Sequence, residues 1–411
     1  MPAHLPLFHE VHASIQRATI GQRLRATTID RLALLVTGIM VARSCVLLKV
    51  ARELDDLGLT NATENTSIAR RLSRIVGDPH LTAAACYTPL LRHLIPWREP
   101  QQSGARVVVI VDESSKGKKV HLLRASLAYR GCSIPLSWVI WKQNVPLDGG
   151  EYWQPVDTLL TRVAAILPPG LDVVVLADRA YDVPAFIDRI TAHGWHWIVR
   201  CRAQGSMRVL DHQGREASIA ELTDSHLATP GRRWKMRGRV FKNAGWRDAS
   251  IVGIWERTAK EPLVVLTDLE PRWEVLSCYG RRFWTEPAFK TDKSAGWQWE
   301  DSQVRDLEHQ DRLLLAMAWA SVLTLLLGAK HAGTQLTHLT QRRRRRPGHP
   351  PKPQHATESL FTQGLNQIKR WAYRRTRGRL PRRLHDITAP TWDAQWCAHQ
   401  SRLFIAQTVH S

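Results

Sequence analysis

Tyr279, Arg282, Glu286 and Lys293 stand at offsets of zero, three, seven and fourteen along the chain. At about 100° per residue on an α-helix they fall within an arc of roughly 60°. One helix face then carries a single carboxylate ringed by two cations and a phenol. A solvated face usually alternates charge with small polar residues, so this stripe suits metal or phosphate chemistry if partner acids exist. Two aspartates are placed to be those partners. Asp112 ends the β-branched run 106–112, and Asp178 ends the run 171–178. Both runs read as strands buried on two faces. In an open α/β sheet, the carboxyl ends of such strands converge on one crevice. Either aspartate alone reads best as a strand-end cap or a surface acid; three carboxylates together repel one another unless hard cations lie between them. Oxygen-only ligands suit magnesium or manganese. Two such ions, about 3.5–4 Å apart, serve in-line phosphoryl transfer. Glu113 is a conceivable substitute ligand, although Asp112 has the better position.

The elements that must hold these groups follow from periodicity. Residues 1–100 read as helical, and a cap-like Asn65 or Thr66 precedes Arg70, Arg71 and Arg74. That basic helix could enter a DNA groove or be an ordinary amphipathic helix. After the strand 106–112 come strands 119–129 and 132–141, joined as a hairpin at Arg130-Gly131, then a helix 156–167 stopped by Pro168 and Pro169. The strand 171–178, a helix 183–193 and a strand 196–201 complete the order β-β-β-α-β-α-β. Residues 203–270 carry short β-type signals with turns near 212–214, 229–231 and 243–245, and read as an inserted β-module. Pro271 is expected to open the helix bearing the stripe, and a second helix is expected over 302–327. A basic, proline-rich linker at 341–353 and one more basic helix over 360–383 end the pattern.

With 411 residues, 44% of them hydrophobic, the chain can bury a sizeable core in two or three modules. Lys and Arg number 58 against 37 Asp and Glu, for a net charge of +21. The segment 330–411 has 16 Lys and Arg against 3 acids, so +13 of that charge lies in the last fifth. Such a field favours a polyanionic partner. The six cysteines show no close pair and read as reduced thiols of a cytosolic protein. No signal peptide is visible. The longest apolar run, 313–328, is short for a membrane span and suits a buried helix, so no membrane partner is expected.

These residues resemble a known family. The chain is similar to the DDE transposases of bacterial insertion sequences, in particular the IS-four group, whose third-acid helix bears a YxxRxxxExxxxxxK signature. Tyr279, Arg282, Glu286 and Lys293 match it at every spacing. At residue frequencies of about 5%, four such matches arise by accident in roughly a few per thousand chains of this length. Glu286 to Trp297, then Val304-Arg305 and Arg312 onward, look like the family's E-x-x-F-R-D-L-K-s-G-W region and its apolar helix. Ala177-Asp178-Arg179-Ala180-Tyr181 is similar to its D-R-G-F/Y element, and Val111-Asp112-Glu113-Ser114 fits its first-acid element more loosely.

The resemblance implies an α/β fold with a ribonuclease-H-like mixed sheet flanked by helices, interrupted by a β-rich insertion. It divides the chain into a helical DNA-binding region (1–100), a catalytic core (101–202 and 271–330), the insertion (203–270) and a basic linker and DNA-contacting tail (331–411). Asp112, Asp178 and Glu286 would bind two Mg²⁺ ions, which Mn²⁺ could replace. Tyr279, Arg282, Lys293, Arg179 and Lys290 would contact DNA. The partners implied are double-stranded DNA, as terminal inverted repeats and target, and a second copy of the chain in a synaptic complex, in a cytoplasmic, nucleoid-associated setting. Trp246 and Trp255 are candidates for stacking on an extruded base, though each is more ordinarily a core or interface anchor. Alternatives are a catalytically silent DNA-binding derivative, a ribonuclease-H-like DNA nuclease, and a tyrosine recombinase built on His309, Arg312 and Tyr373, the last read as a chance match.

Overall fold

The structure is a computed structural model that describes residues 6–22, 24–60, 64–143, 152–344 and 359–374. Among the described residues seven helices come first: α1 (Pro6–Ala18), α2 (Ala26–Ala42), α3 (Leu47–Asp56), α4 (Asn65–Val76), α5 (Ala83–Cys86), α6 (Thr88–Leu94) and α7 (Arg98–Ser103). The α4 N-cap is Glu64 rather than Asn65 or Thr66. Arg70, Arg71 and Arg74 are exposed on its outer side.

The sheet begins with β1 (Val107–Lys116), β2 (Val120–Tyr129) and β3 (Cys132–Lys142), paired antiparallel in sequence. The β2–β3 turn needs positive φ at both central residues, supplied by Arg130 (47°) and Gly131 (81°). After α8 (Trp153–Ile166), β4 (Val173–Ala177) pairs parallel with β1; after α9 (Pro184–Ala192), β5 (His196–Cys201) pairs parallel with β4. The order 3-2-1-4-5 puts the two aspartate-bearing strands side by side. This mixed sheet flanked by helices is the fold class expected, consistent with a ribonuclease-H-like core.

Next come β6 (Arg208–Leu210), β7 (Glu216–Ser218), the helix α10 (Ile219–His226), β8 (Arg233–Val240), β9 (Arg247–Ile254) and β10 (Leu263–Thr267). Their strands extend the same sheet to ten, in the order β3-β2-β1-β4-β5-β10-β9-β8-β6-β7. Helix α10 is absent from the β-type reading of this segment. Its signal is a capping box in which Ser218 and Glu221 satisfy each other's backbone N–H groups.

From α11 (Glu274–Tyr279) the chain stays helical but changes pitch: a 3₁₀ turn over Gly280–Trp284, then α12 (Thr285–Lys290), then a π turn over Thr291–Ala295. The expected single helix is thereby divided into turns of different pitch, although Arg282 and Glu286 still meet four residues apart. Pro287 lacks the N–H that an uninterrupted α-helix would need and its ring crowds the carbonyl four residues back, so it is accommodated in the first turn of α12. Nor does Pro271 open this run, which starts three residues later at Glu274. Helix α13 (Leu307–Arg344) also starts later than residue 302, behind Asp306, whose carboxylate accepts from the His309 N–H at 2.9 Å. By length and composition the span Leu307–Ala332 could cross a membrane, but 94% of its apolar window is buried inside the fold.

Helix α14 (Leu360–Arg374) lies against α13 in backbone contact. A Cβ at Gly328 would stand 1.7 Å from the Leu360 carbonyl oxygen, and one at Gly364 would stand 1.9 Å from that of Thr324. Leu365, Ile368 and Trp371 seal this crossing. Helix α13 runs on to Arg344, past its expected end at 327 and into the first four residues of the expected linker 341–353; the rest of that linker and the expected helical continuation beyond 374 fall outside the described residues.

Two apolar clusters cover the two faces of the sheet. The larger holds Val107, Val109 and Val111 with the N-terminal helices and α13; the smaller holds Val108, Ile110, Val174, Leu176, Ile198, Val252 and Val265 under α11 and Trp284. Asp112, two residues beyond Ile110, continues the smaller cluster's face.

Candidate active site

Parallel pairing of β1 with β4 ends at Ile110 opposite Leu176. Asp112 and Asp178 therefore lie just past that limit, Asp112 still within β1 opposite Arg124 of β2 and Asp178 just beyond the end of β4. Asp178 caps its own turn, accepting from the Ala180 N–H at 2.9 Å. The 3₁₀ turn that follows α11 brings Arg282 between these acids. Its guanidinium donates to both Asp112 carboxylate oxygens at 3.1 Å and to Glu286 at 3.3 Å, and lies 3.8 Å from Asp178. Asp112, Asp178 and Glu286 thus meet around one cation.

Charge and burial are unevenly shared. Side-chain exposure rises from 11% at Asp112 through 33% at Asp178 to 45% at Glu286, while Arg282 is 13% exposed. Burial pushes the Asp112 carboxyl above its ordinary range, against the pull of Arg282, and the nearby Asp178 adds to the rise. Burial likewise raises Glu286, opposed by Arg282 and reinforced by Asp112. Burial alone would lower Arg282, but the surrounding acids, Asp112 foremost, hold it above its usual value. With all four groups ionised, three negative charges answer one positive charge.

That excess and the oxygen-only donor set fit hard divalent cations in chemistry. No group of three or more such side chains among the described residues is arranged to hold a metal ion as it stands, because the guanidinium lies between the acids.

The other residues singled out in the sequence divide into two groups. Lys290 and Arg179 are exposed near the acids, and Lys293, 28% exposed, lies 4.0 Å from Glu300. Tyr279 does not reach this surface. It is fully buried in the smaller cluster, its hydroxyl meets no hydrogen-bond partner, and burial raises its pKa. It lies within electrostatic reach of Arg282, which opposes that rise, but beneath it in the apolar cluster and not on the exposed side of the acids. Trp255 donates to the Ala259 carbonyl at 3.1 Å, and both Trp255 and Trp246 are half-buried. Arg312 is buried on α13 and paired with Glu308, not with a tyrosine.

Three features escaped the sequence reading. First, Arg282 partners the acids; its position four residues before Glu286 is the spacing of a helical ion pair and could have signalled this. Second, Glu113 points away from Asp112, as successive strand residues must, and accepts from Tyr152 at 3.0 Å and from the Tyr181 hydroxyl while meeting His121 at 2.6 Å. Burial raises its carboxyl, but these bonds outweigh it and the net shift is downward. Third, Arg124 and Asp292 form a buried ion pair, with Arg124 stacked 4.1 Å from the Phe289 ring.

A family model described as a transposase DDE domain matches residues 94–323. No curated protein matches the sequence. Similar solved structures include a cryo-EM synaptic complex of piggyBac transposase with hairpin DNA, at 10% identity and a TM-score of 0.41, covering 97% of this chain and 82% of that one. They also include human ENDOV, at 16% identity and a TM-score of 0.26, covering 49% of this chain and 90% of that one.

Proposed function

We propose, from the premise that the chain belongs to the DDE-domain transposases, that it is the transposase of a bacterial insertion sequence of the IS-four group, cutting and joining DNA at terminal inverted repeats. The observation that carries this reading is the meeting of Asp112, Asp178 and Glu286, from three separate segments, around Arg282. Two Mg²⁺ ions held by these carboxylates, with Mn²⁺ as substitute, would activate the attacking oxygen and stabilise the leaving oxygen of an in-line displacement.

The chain's own residues orient that reaction. Asp112 is fixed by the Glu113 N–H at 3.0 Å and by Arg282, Asp178 by its own turn. Glu286 is the most open of the three and completes the set from the helical side. Arg282 exchanges carboxylates for the phosphate of the cleaved end, where its planar fork offers paired hydrogen bonds. Lys293, Lys290 and Arg179 supply further cations along the DNA; Tyr279 shapes the floor under Arg282 and reaches phosphate only if the 3₁₀ turn rearranges. Water cuts the first strand, and the freed 3′ hydroxyl attacks a second phosphodiester with no covalent protein–DNA link. The helical N-terminal region and the basic tail add DNA contacts, and two copies process two ends together in a nucleoid-associated complex. The domain limits proposed are 1–100, 101–202 with 271–330, 203–270 and 331–411.

The test is cleavage of duplexes bearing the terminal inverted repeats. The wild type is expected to cut them with Mg²⁺, whereas Asp178→Ala binds without cutting. Equal binding and no cleavage by either protein would end the enzymatic reading.

A further inference from the structure

Strand β8 carries Arg233, Lys235, Arg237 and Arg239 at alternate positions, all exposed, with Trp234, Met236 and Gly238 between them. Alternation places the four cations on one face of the sheet, over about 20 Å of strand. The register identifies that face. Lys235 lies opposite Val252, and Val252 opposite Val265. Both valines belong to the smaller core cluster with Ile198, Leu176 and Ile110. Since Asp112 continues that face, the β8 cations and the acid site share one side of one sheet.

The surroundings of the stripe favour an external anion. Trp273, 36% exposed, lies 5.6 Å from the Arg233 guanidinium and 5.3 Å from the Lys235 ammonium. That platform holds two cations in place without neutralising them. Arg237 pairs with Glu270 at the surface, and Arg239 lies opposite Asp248. Cations on a strand near a sheet edge also discourage edge-to-edge aggregation. Edge protection asks for one or two charges; it does not ask for four in a row with an aromatic brace.

Five inter-strand steps separate β1 from β8, about 24 Å at roughly 4.8 Å each. That distance corresponds to about seven base pairs at 3.4 Å of rise. We propose that the β8 stripe is a second DNA-contact surface, gripping the phosphate backbone of duplex DNA about seven base pairs inward from the end held at Asp112, Asp178 and Glu286. The inward position rests on the function proposed above; the binding of duplex does not.

The experiment compares wild type with the combined variant Arg233→Gln, Lys235→Gln, Arg237→Gln, Arg239→Gln, using anisotropy on a 20-base-pair duplex across 50–200 mM salt. Each lost phosphate contact flattens the slope of log K against log salt by about 0.9. The variant, with four contacts removed, is expected to be flatter by about 3.6, so that its loss of affinity over this range is roughly 150-fold smaller. Lys235→Arg, which keeps the charge, should retain the wild-type slope, and equal melting temperatures show that both variants fold. An unchanged slope in the folded glutamine variant overturns the proposal. A duplex with neutral methylphosphonates six to eight base pairs from the terminus should weaken wild type and leave the glutamine variant unaffected; equal weakening of both overturns the position. A flatter slope with no end cleavage by wild type leaves the stripe standing and removes the transposase reading instead.

Discussion

Asp112 and Arg124 face each other across β1 and β2, and each is answered from the helical run above by a group of opposite sign. Asp292 answers Arg124, and Arg282 answers Asp112. The first pair is closed: its side chains are 4% and 9% exposed, one cation meets one acid, and Phe289 covers the guanidinium. The second is open on one side, and one cation meets three acids. The same residue types, a strand spacing apart, thus serve two ends. Charge balance and burial make a fastener of Arg124–Asp292; charge excess and exposure leave the Arg282 cluster able to accept further cations or exchange its partners.

The comparison is most exposed to failure at Glu286. Glu286→Gln removes one of the three acids without emptying a buried site. Strand cleavage should fall by about 10³-fold or more, equivalent to roughly 4 kcal/mol at 1.36 kcal/mol per tenfold. DNA affinity and melting temperature should remain at wild-type values. Cleavage within a few fold of wild type would show that the open cluster is as structural as its neighbour.

At the closed pair, the expected damage is to stability. Asp292→Ala leaves the Arg124 charge buried without its partner, which costs about 3–5 kcal/mol. Calorimetry should show a melting temperature lower by something on the order of 10 °C, with activity per folded molecule retained at low temperature. Replacing both residues with apolar ones of similar volume should recover most of the loss. An Asp292→Ala protein that melts like wild type but fails to cleave would transfer Asp292 to the reactive group.

Much of this contrast was legible in the sequence, though not all of it. The strand runs ending in Asp112 and Asp178 were visible because fully buried strands read as continuous β-branched stretches, and the hairpin announced itself at Arg130-Gly131. The spacing of Arg282 and Glu286 was visible too. The partner of Arg282 was not, since the motif alone does not say whether a guanidinium meets phosphate or carboxylate. The burial of Tyr279 was hidden for a different reason: spacing says which residues share a face, not that the sheet's smaller apolar cluster covers one end of it. Arg124 and Asp292, 168 positions apart, carry no local signal of their pairing. The docking of α14 was hidden as well, because the basic composition of the tail masks its packing. A cut at residue 341 removes the helix that interlocks with α13 at Gly328 and Gly364, and so takes away packing together with the tail's arginines.

The smallest expected effect lies on the far side of β1 and tests what keeps the two aspartates in step. The turn from Asp178 to Tyr181 is closed by a backbone bond of 3.1 Å, and the Tyr181 hydroxyl fastens it to Glu113, the residue after Asp112. Tyr181→Phe removes that fastening and leaves Tyr152 and His121 on Glu113. Groups that orient metal ligands from behind typically account for about 10–100-fold in metal affinity or activity. With two of three partners retained, the effect should lie near the lower bound. The Mn²⁺ concentration for half-maximal cleavage should rise about tenfold, and the rate at saturating Mn²⁺ should stay within a few fold. A loss of rate that Mn²⁺ does not restore would place Tyr181 among the residues that act on DNA itself, and the open cluster would then extend through β1 to its other face.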